Sequence, residues 1–241
     1  MAKIPKVPSE IFGELSDDYK SLYGTDLVSI LLYGSGARGD YRPGASDLNF
    51  LIVLSEKAIA ELGRALPLLK KWHKRRVATP LFLTEHYIER SLDSFPLEFW
   101  EMQRYHQIVY GKDVLKPLTI RRSDLRLQCE REIKGKLLHL RQNYLNSEWK
   151  PLRLRAVLTA SISGFAAIFN ALLFLKDEQP ENRRQNIFLK TARVFGLDAD
   201  VFGKILDIRD KKLKLNKQQT VQLFEQYIEE IRKLAEKVDI L

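Results

Sequence analysis

Cysteine is nearly missing from this 241-residue chain. Cys129 stands alone, which excludes an internal disulfide and a cysteine-rich zinc site and suits a reducing cytoplasm. Histidine is scarce too: His73, His86, His106 and His139 show no pairing at metal-ligand spacing. No Gly-x-Ser-x-Gly elbow and no cysteine–histidine arrangement offers a nucleophile. The first residues, Met1-Ala2-Lys3-Ile4-Pro5-Lys6, lack the apolar core of a signal peptide. Charge is absent from Ala156 to Leu175, a run long enough for a bilayer crossing. Thr159, Ser161, Ser163 and Asn170 interrupt that run, and Ala160, Gly164, Ala167 and Ala171 suit close helix packing. The run therefore reads as the central helix of a soluble bundle, and no membrane partner is expected.

What is present describes a soluble protein with a real core, at 45% hydrophobic and 29% charged residues. A net charge of +9 favours anionic partners such as nucleotides or RNA. The run Lys70-Lys71-Trp72-His73-Lys74-Arg75-Arg76 motivates an RNA-associated reading, although one tryptophan makes no stacking platform.

Two halves differ in pattern. Up to about residue 120, strands and helices alternate. Val28–Tyr33 and Phe50–Leu54 are apolar strand runs, and Ser55 caps a helix in which Ala58, Leu62, Leu66 and Leu69 recur at helical spacing. Ala78–Leu83 reads as an edge strand because Pro80 cannot donate to a ladder, and Thr84 caps a short helix. Leu97–Met102 and Gln107–Tyr110 are read as strands. Beyond Pro117 only helical periods remain, from a long helix opening near Ser123 to one over Thr220–Val238. The expectation is an α/β (α+β) chain: residues 1–120 a mixed sheet flanked by helices, residues 121–241 a helical bundle.

The turn between the first two strands carries the chemistry. Gly34-Ser35-Gly36-Ala37-Arg38-Gly39 is formally a G-x-G-x-x-G, but a dinucleotide fold needs a full crossover helix after it. Pro43-Gly44 breaks any such helix, and the second apolar run opens at Asp47, too soon for a crossover. A Walker loop fails as well, since no Gly-Lys-Ser/Thr follows. What remains is a glycine turn followed by Asp47-Leu48-Asn49-Phe50. Alternation on a strand places Asp47 and Asn49 on one face and Leu48 and Phe50 on the other.

Gly34, Ser35, Asp47 and the alternating Leu48-Asn49-Phe50 resemble the signature of the nucleotidyltransferase superfamily, which includes aminoglycoside and minimal nucleotidyltransferases and polymerase β. Its pattern is Gly-Gly/Ser, a spacer, then Asp-apolar-Asp/Glu-apolar. Here Asn49 replaces the second acid. The resemblance implies transfer of a nucleoside monophosphate from Mg2+-bound nucleoside triphosphate (ATP) to an unidentified acceptor hydroxyl. It assigns Gly34 and Ser35 to the phosphates, with Arg42 as a further contact. Asp47, Asn49 and Glu98 would be metal ligands. Asp47 and Glu98 would be catalytic, Glu98 standing for the third carboxylate on a later strand with Glu101 as next choice. Magnesium usually takes one or two carboxylates, and an amide oxygen brings no negative charge. Asn49 thus opens the alternative of a catalytically inactive nucleotide-binding or partner-binding protein.

Overall fold

The computed structural model describes residues 3–241. Two compact units divide the chain, Met1–Ile120 and Arg121–Leu241.

The first unit runs α1 (Phe12–Tyr23), β1 (Leu27–Tyr33), α2 (Ser35–Arg38), β2 (Asn49–Leu54), α3 (Glu56–Ile59) and α4 (Leu66–His73). It continues through β3 (Leu81–Leu83), α5 (Glu85–Arg90), α6 (Pro96–Arg104) and β4 (His106–Gly111). The sheet order is β3-β2-β1-β4. β2 and β4 lie antiparallel to β1, while β3 runs parallel to β2.

β1 and β2 are apolar apart from Ser29 and Asn49 because both faces are covered. Ile30, Leu32, Phe50 and Ile52 pack against Leu15 and Tyr19 of α1 and Trp72 of α4. On the other face Leu31, Leu51 and Val53 meet Ile88 of α5 and Phe99 and Met102 of α6. Each such side chain contributes about 1.5–3 kcal/mol by leaving water. β3 sits at the sheet edge, as Pro80 requires. Ser55 and Thr84 cap α3 and α5, accepting from the Ala58 and Tyr87 amides.

One expected strand is a helix. Leu97–Met102 belongs to α6, which opens with Pro96 in its first turn, where a missing N–H costs nothing. Its buried residues step by three (Pro96, Phe99, Met102; Leu97, Trp100), a helical period rather than alternation.

The second unit holds α7 (Arg122–Asn146), α8 (Pro151–Leu175), α9 (Arg184–Val194), α10 (Ala199–Arg209) and α11 (Lys217–Asp239). No strand lies in it among the described residues. α8 is long and apolar enough to cross a membrane, yet 56% of its most apolar stretch is buried within the bundle. Phe165 and Phe169 of α8 sit in a ring cluster with Phe188, Phe202 and Tyr227, neighbouring centroids lying 4.7–6.3 Å apart. Such pairs add roughly 0.5–1.5 kcal/mol each beyond simple burial.

Candidate functional site

β1 ends at Tyr33, and Gly34 turns the chain with φ +72° and ψ −145°. A side chain there is strained, and a Cβ would also press to 3.2 Å from Asn49 Nδ2. Gly36 answers a packing demand instead, since its Cβ would stand 3.1 Å from Leu48 and 3.2 Å from Leu32. The amides of Ala37 and Arg38 donate to Gly34 O at 3.2 and 3.0 Å, closing α2. Ser35 and Gly36 head this single turn, where helix geometry gives an amide no intrahelical acceptor. The turn thus ends in donors.

Across from it lies the lip of β2. Asn49 pairs with Tyr33, and Tyr33 with His106 of β4. Partners across a ladder share a face, so these three form one row. Asp47 and Asn49 keep solvent access while Leu48 and Phe50 are fully buried, as alternation requires. None of the four strands (LVSILLY, NFLIVL, LFL, HQIVYG) contains an acid. Asp47, two residues ahead of β2, is the carboxylate of this lip.

The other acids assigned from sequence are placed differently. Glu98 stands exposed in the first turn of α6 rather than on a strand beside β2. Glu101, one turn on, is mostly buried and forms an ion pair with Arg38 at 2.5 Å, the two side chains 16% and 20% exposed. Burial pushes the Glu101 carboxyl up, opposed in part by the charges of Arg38 and Arg104. Arg38 also lies over the Tyr105 ring at 4.9 Å. Arg42 is exposed, in a turn where its carbonyl accepts from Ala45 and Ser46 at 3.0 and 2.8 Å.

Sequence reasoning missed Arg76. Its carbonyl accepts from Leu48 N at 2.8 Å, and Ala78 N donates to Leu48 O at 3.0 Å, which brings the segment before β3 alongside the lip. Arg76 Nη2 donates to Gly44 O at 3.1 Å. Its Nε lies 3.2 Å from Asp47 Oδ1, a charge contact whose angle does not make a hydrogen bond. Two more cations of the basic run, Lys71 and Arg75, face acids as well. Lys71 meets Glu14 and Asp18 at 2.9 and 2.7 Å, and Arg75 meets Glu14. Trp72 is buried, its Nε1 donating to Asp18 at 3.0 Å.

Magnesium wants near-octahedral oxygen, carboxylates included. This lip offers one exposed carboxylate already facing an arginine, plus one amide. No group of three or more His, Cys, Asp or Glu that could hold a metal forms among the described residues. The donor set does not fit a resident two-metal centre.

Residues 10–121 match the family model described as "Nucleotidyltransferase domain". Among curated proteins, none matches the chain by sequence. A similar solved structure is spectinomycin adenyltransferase from Enterococcus faecialis with ATP and spectinomycin. It is 14% identical over 93% of this chain and 99% of that chain, at a TM-score of 0.53. At that identity the likeness is one of fold. It agrees with the order found here, a mixed sheet with flanking helices and then a run of helices alone. Residues 10–121 thus match a nucleotidyltransferase domain in sequence, within a chain that shares its fold with an adenyltransferase.

Proposed function

We propose that the first unit binds a nucleoside triphosphate, ATP foremost, at the Gly34–Ser35 turn and transfers its nucleotide to an acceptor hydroxyl only slowly. The observation that carries this reading is Asp47 as the single carboxylate of the lip, with Asn49 where a second acid would stand. Nucleotidyl transfer rests mostly on positioning and on neutralising charge, as phosphoryl transfer does. Ser35 and the amides heading α2 supply donors to the phosphates, and Gly34 lets them approach the backbone. An acid at position 49 would hold a dication against the reacting phosphates, and losing one unit charge within a few ångströms of such a dication costs several kcal/mol at intermediate dielectric. Each ~1.4 kcal/mol is tenfold in rate, so a slowing of about a hundredfold or more is expected. The fold's occurrence with ATP and spectinomycin together in its structural neighbour supports a nucleotide and a small acceptor as partners.

A silent nucleotide-binding protein is the second reading. It is favoured by β3 and β4, which carry no acid to act as a third carboxylate. Pyrophosphate release from ATP, measured for wild type and Asn49→Asp, separates the two. The first expects slow release that rises about a hundredfold or more in the variant. The second expects none from either, with ATP binding retained. Fast release by wild type, unchanged in Asn49→Asp, would contradict both.

A further inference from the structure

Asp47 does not stand alone at the lip. The Arg76 guanidinium faces it, on a residue whose backbone sits in the left-handed region at φ +63°. Side chains rarely adopt that conformation, so something must hold it. The Arg76 amide donates to His73 O at 3.1 Å and its carbonyl accepts from Leu48 N at 2.8 Å, anchoring the residue to both α4 and the lip. Nη2 is fixed on Gly44 O, in the loop between α2 and β2. Nε is buried and has no hydrogen-bond acceptor. A guanidinium has five N–H donors in a fork that suits phosphate, and Gly44 engages only one of them.

We infer that Arg76 takes the place of a divalent cation, so that this site holds the phosphates of a nucleotide without metal. The inference rests on the nucleotide site proposed above and concerns only what neutralises the phosphates in it. Two observations favour it over a plain surface ion pair. An exposed pair contributes little by itself and gives no reason for a left-handed arginine. A dication at Asp47 would also sit against the guanidinium, like charge against like. The Asp47–Arg76 pair carries no net charge, so a phosphate meets a donor fork already in position.

Calorimetric titration of the full chain with ATP, in magnesium and in EDTA, tests this. The expected dissociation constants differ by no more than about threefold between the buffers. Arg76→Gly, which suits the backbone at φ +63°, should weaken binding about tenfold or more in both, with the melting temperature unchanged. Asp47→Asn should bind at least as tightly as wild type in EDTA, because it removes a negative charge beside the phosphates. ATP binding that requires magnesium and falls in Asp47→Asn would overturn the inference while leaving the nucleotide site intact. So would binding unchanged in Arg76→Gly. No binding in either buffer by folded wild type would remove the nucleotide site itself.

Discussion

Arg38–Glu101 and Arg76–Asp47 pair the same two kinds of group within one unit, but under opposite conditions. The first is mostly buried, links α2 to α6 and lies against Tyr105. The second has side chains 40% and 54% exposed and lies at the lip of β2, where Asp47 stands two residues ahead of Asn49. Burial makes the first pair a structural commitment: removing one partner strands a charge in low dielectric. Exposure makes the second pair cheap to rearrange, which is what a ligand site needs. Chemistry alone does not tell which arginine serves the fold and which serves a ligand. Environment does.

The largest effect expected from this contrast is in Arg38→Ala, which should lose about 3–5 kcal/mol of stability in a denaturant titration. A loss no greater than for a surface residue would erase the distinction between the pairs. The pH dependence sharpens it. Burial raises the folded-state pKa of Glu101 above the ordinary carboxyl value of 4.5. The folded protein therefore holds that proton more tightly than the unfolded chain. The Glu101 contribution is fully present below pH 4.5 and is lost as pH rises through the raised folded value. Melting curves of wild type and Glu101→Gln should thus shift in favour of wild type on acidification. A shift the other way would mean that the Arg38 charge outweighs burial.

Smaller effects follow outside the pairs. Thr84→Ala removes the acceptor for the Tyr87 amide and should cost about 1 kcal/mol, measured by the same titration. Smallest of all, Arg76→Gly should change stability by no more than about 0.5 kcal/mol, because relief of backbone strain offsets a weak ion pair. A loss of several kcal/mol there would show Arg76 to be a structural residue.

Much of the first unit was legible in local sequence. The largely apolar runs of β1 and β2, Pro80 at the edge, and Ser55 and Thr84 as caps all follow from one-dimensional patterns. Gly34 was legible too, since a turn ending one strand and starting toward the next asks for a residue without a Cβ. Two things were not. Leu97–Met102 mixes pairs and singles of apolar residues, and only contact with Leu31, Leu51 and Val53 makes the helical face evident. The Arg76–Asp47 contact depends on the parallel pairing of β2 with the segment before β3, a long-range choice that no local period encodes. Lys70–Arg76 looks like a solvated basic helix end when read alone. Its acids, Glu14, Asp18 and Asp47, come from elsewhere in the chain.

The central claim, that phosphates sit on the turn at Gly34 beside Asp47, is tested most directly by titrating ATP into Gly34→Ala and wild type. A Cβ at φ +72° strains the turn and crowds Asn49. ATP affinity should therefore fall about tenfold or more while the protein stays folded. An unchanged dissociation constant in folded Gly34→Ala would place the nucleotide elsewhere and contradict the account.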